Sequence, residues 1–86
     1  MTKRFIYFYF MKKNPNKIQI VAPSHSEYWK KCNLEEYTGG PFSDRSGGLI
    51  TFGVENIEKV KELIKNDPFV IENLIEKKWV KEWIVK

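Results

Sequence analysis

The sequence predicts an α+β domain in which one four-stranded antiparallel sheet carries its helices on a single face. Three observations lead there. Residues 4–11, RFIYFYFM, are bulky and apolar at nearly every position, as in a strand covered on both faces. Residues 56–65, NIEKVKELIK, place Ile57, Val60, Leu63 and Ile64 on one helical stripe, with Glu58, Lys59, Glu62 and Lys65 outside it. Between these segments EEYTGGPF, SDRS and GGLITFGV read as strand, turn and strand, an antiparallel hairpin over residues 36–54.

In the first strand Phe5, Tyr7 and Tyr9 share one face and Ile6, Phe8 and Phe10 the other, so both faces need cover. KKNPN then reads as a turn and KIQIVAP as an extended connector. Pro23 disfavours helical geometry at Ala22, and Ser24 followed by Glu27 has capping-box spacing. The first helix is therefore expected to start with Ser24 as N-cap and His25 as its first residue. Tyr28, Trp29 and Cys32 follow at helical spacing, and the helix should end near residues 33–34. Asn56 suits the cap of the second helix. Pro68 stops that helix, because Asp67 before proline leaves helical geometry, and PFVIENLIE opens a second, short helical piece. KWVKEWIVK closes the chain as a strand, with Trp79, Lys81, Trp83 and Val85 on one face and Val80, Glu82 and Ile84 on the other. Strand, helix, strand, strand, helix, strand is the split βαβ, or ferredoxin-like, arrangement. Its helix-free sheet face would expose more aromatic surface than soluble monomers show, which predicts a homodimer with two sheets packed face to face.

At 86 residues the chain fits one domain, residues 1–86. A domain of this size buries only about 60 to 65% of the surface its unfolded chain exposes, so added burial through self-association is expected. The composition is globular, 42% hydrophobic and 15% aromatic, without low-complexity tracts or repeats. The net charge of +4 comes mostly from lysines scattered along the chain, which fits a solvated surface better than a nucleic-acid partner. Cys32 is the single cysteine, so neither an intramolecular disulfide nor a zinc site of paired thiols is available, and it reads as a small core residue. The opening MTKRFIYFYFM is short and aromatic, ends at Lys12 and Lys13, and is followed by no small-x-small cleavage pattern. It is also far below the roughly 20 apolar residues of a membrane span. A cytoplasmic protein with no membrane partner is expected.

Few residues can carry chemistry. His25 is the only histidine; it is either a helix-end residue or a general base, with an ordinary pKa of about 6.5 close to working pH. The positive end of a helix would favour its neutral, proton-accepting form. Asp67 in NDPF has N-cap character and could also orient the ring, while Asp44 in FSDRSGG reads as a turn residue. The pairs Gly39–Gly40 and Gly47–Gly48 flank the hairpin, whose geometry accounts for them, and neither belongs to a phosphate-loop pattern.

HSEYW (25–29), GGPF (39–42), SGGLITF (46–52), NDPF (66–69) and VKEWIV (80–85) together resemble, in order and spacing, the YciI-like (YCII-related) proteins. That family is similar in fold to the dimeric α+β barrels, which include lactone isomerases, monooxygenases and dehydrochlorinases. The resemblance implies that His25 and Asp67 form the pair proposed as the family's active centre. It also implies that Tyr28, Gly40, Pro41 and Phe69 line a substrate cleft between the helix starts and the hairpin. The link KKNPNKIQIVAPS is longer than the family pattern. The leading expectation is a proton-transferring enzyme of lyase or isomerase type, acting on a small ring-containing or anionic metabolite, with no metal or organic cofactor required. A non-catalytic ligand-binding or accessory protein of the same fold is the alternative. An RNA-recognition motif shares the element order, but SGGLITFGV has Leu49 and Ile50 where its third-strand aromatic and small residues belong.

Overall fold

A computed structural model describes residues 2–86 of the chain. The elements run β1 (Lys3–Met11), α1 (Pro15–Lys31), β2 (Glu35–Pro41), β3 (Gly47–Val54), α2 (Ile57–Lys65), α3 (Pro68–Ile71) and β4 (Ile75–Glu82). The strands pair antiparallel in the spatial order β2-β3-β1-β4, the expected four-stranded α+β sheet.

Register decides what meets the helices. Phe5 pairs with Phe52, Tyr7 with Ile50 and Tyr9 with Gly48, and this face is buried with Trp29 of α1, Val60 and Ile64 of α2 and Phe69 of α3. Ile6, Phe8 and Phe10 point the other way, where Phe8 stacks on its β4 partner Trp79 with ring centroids 5.2 Å apart. There Phe10 stays 37% exposed, and Trp79 and Trp83 41% each. Strand β1 is thus covered on one face only in the single chain.

The first helix departs from the sequence reading. It begins at Pro15 rather than after Ser24, runs 17 residues and absorbs both the end of the KKNPN turn and the KIQIVAP connector. Asn14 is the cap: its side chain accepts the Lys17 amide at 3.4 Å and its carbonyl that of Ile18 at 3.0 Å. Pro15 brings a preset φ to the first helical position, where its missing N–H goes unneeded. Ile18, Val21, Ala22, His25 and Trp29 form one unbroken helical stripe that is buried or half-buried, and this stripe outweighs the local cap signal at Ser24. Pro23 removes one helical hydrogen bond, but it lies on the exposed side.

Strand β4 is also shifted. It starts at Ile75 and stops at Glu82, so the helical piece at Pro68 is only four residues long and IEKK belongs to the sheet. Asn73 takes a left-handed φ of 56°, and the Lys12 amide then donates to the Leu74 carbonyl at 2.8 Å, which opens the pairing with β1. The hairpin and α2 lie where the sequence placed them. Asp44 accepts the Ser46 amide at 3.0 Å and its hydroxyl at 2.6 Å. Turn geometry does not account for the glycines, since none has positive φ and the left-handed turn residue is Arg45 at 65°. Gly47 serves close approach: a Cβ there would lie 1.8 Å from the Tyr9 carbonyl oxygen. Cys32 is half-buried at the C-cap of α1 rather than in the core.

Candidate functional site

His25 sits in the second half of α1, not at its start, so the positive helix end lies well upstream at Pro15 and does not act on the ring. What acts on it is Asp67. As N-cap of α3, Asp67 accepts the Phe69 amide through Oδ1 at 2.9 Å. The same oxygen lies 2.7 Å from His25 Nδ1, and Oδ2 accepts from Trp29 Nε1 at 3.0 Å. Asp67 is fully buried and His25 is 8% exposed. A carboxylate this far from water would be strongly destabilised alone; here three donors converge on it. Because an ionised carboxylate only accepts, the shared proton sits on Nδ1 and the tautomer is set.

The other ring nitrogen, Nε2, lies 3.1 Å from the Tyr9 hydroxyl. Burial first, and then the charge of Asp67, push the Tyr9 phenol well above its ordinary range, so it keeps its proton at neutral pH and donates to Nε2. The imidazole lies flat against Phe69, centroids 4.1 Å apart with planes at 17°, and edge-on to Tyr9 at 5.7 Å. Trp29, Asp67, His25 and Tyr9 therefore form one hydrogen-bonded chain, buried along its whole length.

That chain ends on a cleft of about 410 Å³ between α1, the hairpin and α3. Gly40, Pro41 and Phe69 line it with His25, while the exposed cations Lys30 and Arg45 also reach its walls and no acidic residue does among the described residues. Tyr28 is elsewhere: its hydroxyl donates to the Leu63 carbonyl at 2.6 Å and ties α1 to α2, outside the cleft. Sequence reasoning gave neither Tyr9 nor Trp29 a role in the site. Trp29 follows His25 by one helical turn, which places both on the same face. Tyr9 is a phenol on the helix-facing side of β1, and a buried phenol needs a partner.

Residues 5–84 match the YCII-related domain. The chain belongs to this family. The YCII-related fold here resembles 5-chloro-2-hydroxyhydroquinone dehydrochlorinase from Burkholderia phenoliruptrix, solved in complex with 2,5-dihydroxybenzoquinone, at 20% identity and a TM-score of 0.79, covering 94% of this chain and 93% of that one. It also resembles protein SO0527 from Shewanella oneidensis, at 12% identity and a TM-score of 0.65, covering 95% and 88% respectively. At these identities the likeness is one of fold. No curated protein matches the chain. Among the described residues no three of His, Cys, Asp and Glu gather as a metal centre requires, and no helix is long and apolar enough to cross a membrane.

Proposed function

We propose that this YCII-related protein is a small-molecule enzyme that moves a proton, in a lyase- or isomerase-type reaction, with His25 as acid and base and Asp67 as its orienting partner. The observation that carries this reading is the 2.7 Å bond between Nδ1 and the buried Asp67 carboxylate, at the wall of a cleft. The carboxylate holds the ring and stabilises the imidazolium formed when His25 accepts a proton. Phe69 backs the imidazole at the cleft wall, Gly40 and Pro41 present backbone to a ligand, and the two cations favour an anionic one. The chemistry calls for no metal or organic cofactor. Two chains packed through the open aromatic sheet face form the working homodimer.

The test is a screen of small ring-containing anions, starting with 5-chloro-2-hydroxyhydroquinone as substrate and 2,5-dihydroxybenzoquinone as ligand, both named with the dehydrochlorinase neighbour. His25→Ala and Asp67→Asn should each lower turnover by about 10²-fold or more, the usual contribution of a positioned acid–base. Full activity in either folded variant removes the mechanism.

One observation favours a second reading, a binding or accessory protein without catalysis: both ring nitrogens of His25 are already satisfied inside the protein. On that reading the same variants change ligand affinity or stability, and no product forms with any ligand that binds.

A further inference from the structure

We propose that Tyr9 is a further catalytic residue: the phenol through which the His25–Asp67 pair reaches a ligand in the cleft. The inference rests on the proton-transfer reading above and names the group that delivers it. His25 has no nitrogen to offer directly, since Nδ1 is held by Asp67 and Nε2 by the Tyr9 hydroxyl, and its ring is pressed flat against Phe69. Tyr9 lines the same cleft. Its position is built into the sheet. Gly48 stands opposite Tyr9 in the β1–β3 ladder, and a Cβ on it would lie 2.5 Å from the phenolic oxygen and 2.9 Å from Cζ. Any larger residue there would push the hydroxyl off its bond with His25. Tyr7, on the same face of the strand, shows the contrast: its hydroxyl is buried without a partner among the described residues and away from the cleft lining.

The transfer balances. A ligand X–H bond breaks with its electron pair left on X, its proton passes to the Tyr9 oxygen, and the phenolic proton passes to Nε2. The imidazolium is then paired with the Asp67 carboxylate and Tyr9 is a neutral phenol again. Reversal protonates the ligand. Burial and the Asp67 charge hold the phenol above its ordinary range, so a free phenolate does not form and the two proton shifts occur together.

The chain has a single histidine, so the carbethoxyhistidine formed with diethyl pyrocarbonate reports on His25 alone. Tyr9→Phe keeps the ring and frees Nε2, and should be modified several-fold faster than the unsubstituted protein. An equal or slower rate overturns the proposal. A second measurement needs no variant: the ¹³C resonance of Tyr9 Cζ should shift at the pH midpoint of the His25 ring, and a resonance indifferent to that midpoint also overturns it. The groups facing this contact are Asp67 and Tyr7 on the core side, Tyr37 across the cleft, and Lys30 and Arg45 at its walls. Failure of the coupling, with His25-dependent binding of the quinone probe intact, sinks the relay alone. Coupling present while binding ignores His25 sinks the proton-transfer reading alone.

Discussion

Asp67 performs two tasks with one oxygen, starting α3 and fixing the imidazole, and its neighbour Tyr7 shows what burial beside it does. The Tyr7 hydroxyl has no hydrogen-bond partner among the described residues, and burial first, then the Asp67 charge, raise the phenol well above its ordinary value of 10. A raised folded-state pKa means that the native chain keeps a proton the unfolded chain releases. The Tyr7 contribution is therefore fully present below pH 10 and is lost as pH climbs beyond it. Thermal melts should show the Tm falling above about pH 10, and Tyr7→Phe should flatten that fall while leaving neutral-pH stability unchanged or slightly higher, since it removes a buried unpaired hydroxyl. A slope unaltered by the substitution would contradict this account. His25 and Asp67 stood out in the sequence because few residue types move protons near neutral pH. Tyr9 did not, because its value lies in a bond across the layer to α1, which only strand register reveals.

At the scale of the element, α1 explains most of the mismatch between expectation and structure. Pro23 followed by Ser24 and Glu27 carries a local start signal, but the amphipathic stripe from Ile18 to Trp29 continues through it. Nearest-neighbour chemistry favoured the break; burial along the whole face favours continuity. Two substitutions weigh these terms by urea unfolding. Asn14→Ala removes the cap of the observed helix and should cost about 1 kcal/mol. Pro23→Ala restores a backbone donor in mid-helix and should raise stability by about 1 kcal/mol, offset in part by a freer unfolded chain. If Ser24 were the true cap, Asn14→Ala would be silent. Helix α2 was legible throughout, because Asn56, the apolar stripe and Pro68 all agree on its limits.

For the whole molecule, the order of elements followed from period and punctuation alone, whereas the cleft did not, because its walls come from α1, the hairpin and α3 together. The open sheet face carries the remaining prediction. Phe8, Phe10 and Trp79 form a packed aromatic cluster that solvent still reaches, and Arg4 lies over the Trp83 ring with its guanidinium 5.8 Å from the centroid. If two such faces meet, sedimentation should give twice the chain mass, and Trp79→Glu should yield monomers with a lower Tm. A monomeric unsubstituted protein at micromolar concentration would refute the pairing. The double use of Asp67 has a thermal consequence. Because one oxygen serves both bonds, unwinding of the short turn that follows Asp67 would free the imidazole with it, so on heating the Phe69 amide should lose its exchange protection together with the His25 ring contact.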